Sequence, residues 1–209
     1  TSSNYQIDTL AATVSSFGIS DSSLSEGDTA TLTIVISESN SGFTNADVTC
    51  ANAAVGALSV AGDGVTYTGT MTPSTNVEDD SNTCVVGTSW TDTAGNAGTA
   101  FTSSSYLIDG VDPTVSSISL ADTTIIKSQT VAVTIVISEA NTGFTNADVT
   151  CDNGAVGSLS TSDGLTYTGT FTPSANVEDT SNTCTVGTGY FDSAGNGADT
   201  AGISAVIIN

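Results

Sequence analysis

Ala30-Thr31-Leu32-Thr33-Ile34-Val35-Ile36-Ser37 alternates apolar and polar positions, and the pattern returns as Val131-Ala132-Val133-Thr134-Ile135-Val136-Ile137-Ser138. Side chains on a strand point to opposite faces with a period of two, so each stretch reads as a strand. Val65 to Thr72 alternates in the same way and is mirrored by Leu165 to Thr172. Thr83 to Trp90 and Thr183 to Phe191 follow. Turn residues separate the runs at Gly62-Asp63-Gly64, Asp163-Gly164, Pro73-Ser74 and Ala94-Gly95-Asn96. No window of helical length shows an apolar period of 3.6. The expected fold is all-β: two tandem immunoglobulin-like β-sandwiches of about seven strands each, end to end.

The duplication runs through the whole chain. Gly42 to Cys50 (GFTNADVTC) returns letter for letter as Gly143 to Cys151, and Asn76-Val77-Glu78-Asp79 as Asn176-Val177-Glu178-Asp179. A period of about 100 residues suits a whole small domain, not a solenoid unit. The boundary is set at residues 1–105 and 106–209. Thr1 to Tyr5 echoes Thr102 to Tyr106, and Val206 to Asn209 echoes Tyr106 to Asp109, so the sequence is expected to start and stop at equivalent points of a longer array.

For copy one the expected strands are A near Val14 to Ile19, B from Ala30 to Ser37, C from Ala46 to Cys50 and D near Ala57 to Val60. E runs from Val65 to Thr72, F from Thr83 to Trp90, and G follows Asn96. Cys50 then ends C and Cys84 opens F, neighbours in one sheet. Matched pairs at Cys50 with Cys84 and Cys151 with Cys184 point to one disulfide per copy and an oxidising compartment. Free thiols are the alternative. Zinc is not expected, because there is no His and no C-x-x-C. Tyr67, Tyr167, Trp90 and Tyr190 are expected in the core or at its rim, with Phe43 and Phe144 plugging the sandwich under the B–C loop.

Charge narrows the function. There are 22 acidic residues, one Lys (Lys127), no Arg and no His, for a net charge of −21. Nucleic acid binding needs cations against phosphate, and an anionic membrane would repel this chain. No run of 18 apolar residues is present, so no membrane insertion is expected. Disorder is disfavoured because 38% of the residues are hydrophobic and β-branched residues abound. Ser and Thr make up about a third of the chain, which suits half-exposed strands. Such self-repulsion burdens a compact fold unless cations neutralise it.

Four further pieces, in the same order in both copies, carry a resemblance. They are Tyr106-Leu107-Ile108-Asp109 followed by Pro113-Thr114-Val115, Val136-Ile137-Ser138-Glu139, Thr166 to Pro173 (TYTGTFTP), and Asp192-Ser193-Ala194-Gly195-Asn196. Copy one has Tyr5 to Asp8, Ile34 to Glu38, Thr66 to Pro73 and Asp92 to Asn96, with Ala11-Ala12 where copy two has Asp112-Pro113. The chain resembles the bacterial Ig-like repeats of giant surface adhesins, the RTX-type and biofilm-associated proteins. The resemblance implies a calcium-dependent spacer, extracellular and at the cell surface, that holds a ligand-binding domain away from the cell.

The residues support calcium independently, since a hard cation wants six to eight oxygens. Asp109 and Asp112 from the linker, Glu139 from the B–C loop, and Asp192 and Asn196 from the F–G loop are expected at one end of copy two. Asp8, Glu38, Asp92 and Asn96 are their counterparts in copy one. Glu78 and Asp79 of the E–F loop are expected to face the joint between the copies. Bare carboxylates converging there would repel, and calcium would stiffen the domain ends and the joint. The plainer alternative is that these are ordinary turn residues, with the Gly and Asn of Asp-x-Ala-Gly-Asn at positive φ.

The leading expectation is a structural extender whose partners are neighbouring repeats of the same chain, monomeric as an isolated fragment. The alternatives are a segment or subunit of another extracellular filament or surface layer, or a weak carbohydrate-binding module, for which only Trp90 and Tyr190 are candidate platforms. An enzyme is not expected. No His is available as a base, no Arg as an anion clamp, and a small sandwich has no deep cleft.

Overall fold

The computed structural model describes residues 3–126 and 128–198 in full and residues 202–208 by their backbone, so Lys127 and Asn209 lie outside the described residues. The chain divides into two units, Thr1–Val111 and Asp112–Asn209. Among the described residues no helix is long and apolar enough to cross a membrane.

In the first unit the strand Ala30–Ile36 is the centre of the fold. It pairs antiparallel with Val14–Ile19 on one side and with Thr66–Pro73 on the other. Its alternate residues Ala30, Leu32, Ile34 and Ile36 are all buried, as the period of two requires. Leu32, Ile34 and Ile36 each contribute about 1.5–3 kcal/mol by leaving water. The sheet continues through Ala53–Val55, Val48–Cys50 and Cys84–Val86 to Phe101–Thr102. Leu32, Ile34 and Met71 from one half share a single core with Val48, Cys84 and Val86 from the other, which makes the unit a sandwich. The second unit repeats this order with Val115–Leu120, Val131–Ile137, Thr166–Pro173, Gly154–Val156, Val149–Cys151, Asp179–Val186 and Gly202–Ile208.

Both disulfides are formed, Cys50–Cys84 and Cys151–Cys184. Each joins residues directly opposite in the ladder between neighbouring strands.

Three differences from the sequence reading have physical causes. The segment Tyr106–Asp109 belongs to the first unit, whose boundary lies at Val111 and not at residue 105. It runs parallel to Ser23–Ser25 and antiparallel to Glu78–Asn82, and it buries Tyr106 and Ile108. Glu78–Asn82, read as an E–F loop, is therefore a strand. Finally, Asn45–Asp47 is a 3-10 turn and not the start of strand C. Thr44 caps it: Ala46 N–H donates to Thr44 Oγ1 at 3.3 Å, and Asp47 Oδ2 accepts from Thr44 N–H at 2.8 Å.

Tyr106 gives one testable pH dependence. Its hydroxyl donates to the Ala51 carbonyl, and burial, helped by the charge of Asp79, pushes its pKa from 10.0 up to about 12. A folded pKa raised above the unfolded value gives stability that is complete below about pH 10 and is lost as pH rises toward 12. Wild type is expected to unfold at higher denaturant than Tyr106→Phe at neutral pH, with the gap closing between pH 10 and 12. A gap that stays constant across that window would contradict the linkage.

The two cores differ by compensated exchanges. In the second unit Gly154 lies against Phe171, and a Cβ at Gly154 would stand 2.2 Å from the ring. The first unit has Ala53 and the slimmer Met71 at these places. In the first unit Gly98 lies under Trp90, and a Cβ there would stand 2.3 Å from the indole. The second unit has the smaller Tyr190 with Ala198, again filling the shared volume.

Candidate metal centre

Asp8, Glu38 and Asp92 converge in the first unit, with one carboxylate oxygen from each lying within 4.8 Å of the others. The aromatic core sets up the arrangement. Phe43 packs edge-on against Tyr67 at 4.8 Å and Trp90 at 5.3 Å. The Tyr67 hydroxyl donates to Asn40 Oδ1 at 2.8 Å, and Asn40–Ser41 pairs with Thr91–Asp92. Glu38 sits between this bridge and the end of Ala30–Ile36, while Ser37 N–H donates to the Thr13 carbonyl at 2.8 Å. Asn96 ties Asp8 to the loop, because its amide nitrogen donates to the carbonyl oxygens of Asp8 and Leu10, each at 3.3 Å.

Asp92 is buried yet stays ionised. Asn96 donates to its carboxylate from the side-chain amide at 2.8 Å and from the backbone at 2.9 Å. The Asn96 side-chain bond leads the causes that hold its pKa below the usual 3.8. A proton on Asp92 therefore does not relieve the crowding of the carboxylates at neutral pH. No Arg or His exists in the chain to do so, and Lys127 lies outside the described residues.

The donor set tests which cation would fit. All the donors are carboxylate oxygens, which supply three to six ligand atoms depending on whether each binds through one oxygen or two. His is absent and the cysteines are consumed in disulfides, so soft-metal ligands are lacking. A set made wholly of carboxylate oxygens suits a hard cation such as calcium.

The remaining predicted residues fall as follows. Asn96 holds Asp92 through its side-chain and backbone nitrogens and so positions the centre. Within its turn Gly95 takes φ 96°, whereas Asn96 does not take a positive φ. Asp192 and Asn196 repeat the arrangement in the second unit, with Asn196 donating to Asp192 Oδ2 at 2.7 Å and from its backbone to Oδ1 at 2.9 Å. Asp192 pairs with Asn141, and Glu139 is half-buried two residues before Asn141. Asp112 is the first residue of the second unit. Asp109 ends its strand opposite Glu78, and both line a 260 Å³ depression with Asp79 and Asp80. Asp79 is engaged structurally: it accepts from Ser81 N–H at 2.9 Å and from the Asn52 amide at 3.1 Å.

The sequence reading missed Asn40 and Asn141 as positioning residues. Their signal was present as Ser37-Glu38-Ser39-Asn40 and Ser138-Glu139-Ala140-Asn141. Trp90 and Tyr190 are buried against Phe43 and Phe144, so neither offers a stacking face for a sugar.

The sequence model of the bacterial Ig-like domain matches residues 8–108 and again 109–207. The chain belongs to the bacterial Ig-like domain family. No curated protein matches it. Similar solved structures include FdeC, an Escherichia coli adhesin, at 14% identity and TM-score 0.48, covering 95% of this chain and 63% of that one. The N-terminal part of the bacterial S-layer protein SbsC is similar at 13% identity and TM-score 0.33, covering 96% of this chain and 44% of that one. The I-band fragment I67-I69 of titin is similar at 10% identity and TM-score 0.41, covering 96% of this chain and 66% of that one. This bacterial Ig-like chain thus spans under two thirds of the adhesin's length.

Proposed function

We propose that this pair of bacterial Ig-like domains is a structural extender segment of a bacterial cell-surface adhesin, working outside the cell and stiffened by calcium. The observation that carries the reading is the convergence of Asp8, Glu38 and Asp92 in a chain of net charge −21. The matching trio in the second copy's sequence is Asp109, Glu139 and Asp192. An extender must hold its fold under load, and two self-contained, disulfide-closed sandwiches suit that task. A cation that binds only the folded chain adds stability by mass action.

Glu38→Gln separates this reading from an ordinary acidic turn. The substitution removes one of three mutually repelling charges and keeps the side chain's size. In chelator the variant is expected to melt at or above wild type. With calcium it is expected to melt below wild type, and calorimetry should show weakened calcium binding. A variant that binds calcium as wild type does would remove Glu38 from the centre and with it the three-carboxylate site.

A further inference from the structure

Three stretches of the chain share one strand pattern: Tyr5-Gln6-Ile7-Asp8, Tyr106-Leu107-Ile108-Asp109 and Val206-Ile207-Ile208-Asn209. Two of them fill equivalent slots. Tyr106–Asp109 lies between Ser23–Ser25 and Glu78–Asn82, with Tyr106 2% and Ile108 1% exposed. In the second unit the backbone at Ile207 and Ile208 pairs with Thr124–Ile125, and Val206 and Ile208 pair with Asn182 and Asp179. The third stretch has no strand partner among the described residues, and Tyr5 is 81% and Ile7 74% exposed. Two large apolar side chains spaced by two, both bare, are the pattern of a strand that has left out its sheet.

We propose that Tyr5–Asp8 is a donor strand whose partner is an Ig-like repeat of this same kind lacking its own last strand. The docking would place Tyr5 and Ile7 as Tyr106 and Ile108 are placed. Backbone pairing would give the affinity, and the two alternate apolar side chains the specificity. The tie from Asn96 to the Asp8 and Leu10 carbonyls fixes where the donor leaves the first unit, so the free stretch ends at Ile7.

The test is a longer chain in which residues 9–101 are joined directly to Thr1 of the full 209-residue sequence. The added segment then carries every strand of a first unit up to Phe101, and Thr1 to Asp8 stands where Thr102 to Asp109 stands in the native order. Hydrogen exchange is run in chelator, so that the outcome does not depend on calcium. Amide exchange at Gln6 and Ile7 should slow by at least about 100-fold relative to the 209-residue chain, as expected for a stretch drawn into a cooperative unit. Tyr5→Ser with Ile7→Ser should abolish that protection and leave the added segment open to protease, with residues 12–198 unaffected. Tyr5→Phe with Ile7→Val should retain it. Unchanged exchange at Gln6 and Ile7, or an added segment that folds equally well with both serines, overturns the proposal. Self-association of the 209-residue chain that is lost with the two serines would also overturn it, because the partner would then be a complete second copy.

Discussion

Met71→Phe is expected to destabilise the first unit by about 1–3 kcal/mol, and adding Ala53→Gly is expected to recover most of the loss. The larger ring needs the volume that Gly154 leaves open for Phe171 in the second unit, where even a Cβ would stand 2.2 Å from the ring. Gly154→Ala should therefore destabilise the second unit on its own. The other pair should behave alike. Gly98→Ala should be costly beneath Trp90, and Trp90→Tyr with Gly98→Ala should be better tolerated because it reproduces the second unit. That double variant still loses the bond from Trp90 Nε1 to the Gly87 carbonyl at 2.9 Å. It also acquires a hydroxyl like that of Tyr190, which is buried with no hydrogen-bond partner among the described residues. Denaturant unfolding of the singles and doubles checks this. Additive losses in the doubles would mean that the exchanges between the repeats are independent.

Loss of the disulfides is the second large effect. Each closes a sequence separation of 34 or 33 residues, for which chain entropy gives about 3–4 kcal/mol of stabilisation. Reduction should lower the melting temperature of both units. Cys50→Ala with Cys84→Ala should lower the first alone and make it insensitive to reductant. These cysteines are buried, so the double alanine variant also loses packing and should fall at least as far as the reduced wild type. Melting curves unchanged by full reduction would show that the bonds contribute nothing to the folded state.

The strands carrying strict alternation were legible because a period of two admits one reading when half the positions are buried. Ala30–Ile36 and Thr66–Pro73 end within one residue of where the pattern puts them. The cysteine pairs were legible for a related reason, since nearly equal spacing in two copies, 34 and 33 residues, leaves few pairings. Glu78–Asn82 was hidden because its residues are acidic and polar, and its pairing comes from Tyr106–Asp109, 24 or more positions later. The same long-range pairing hid the boundary. Tyr106 opens a repeat when the sequence is aligned to itself, yet its ring closes the core of the preceding unit. At the candidate centre the carboxylates were visible as repeated acids. The orientation of Asn96 depends on carbonyls more than 80 positions away at Asp8 and Leu10, which no local pattern encodes.

Calcium-dependent stability is the central claim, and thermal melting of the 209-residue chain tests it most directly. The three conditions are calcium, chelator, and sodium at matched ionic strength. At calcium 100 times its dissociation constant, one folded-state site should add about 2.7 kcal/mol, a rise of several degrees. Sodium should screen the net charge of −21 and give a smaller rise. Equal melting temperatures in calcium and sodium would contradict the account and leave Asp8, Glu38 and Asp92 as ordinary turn residues.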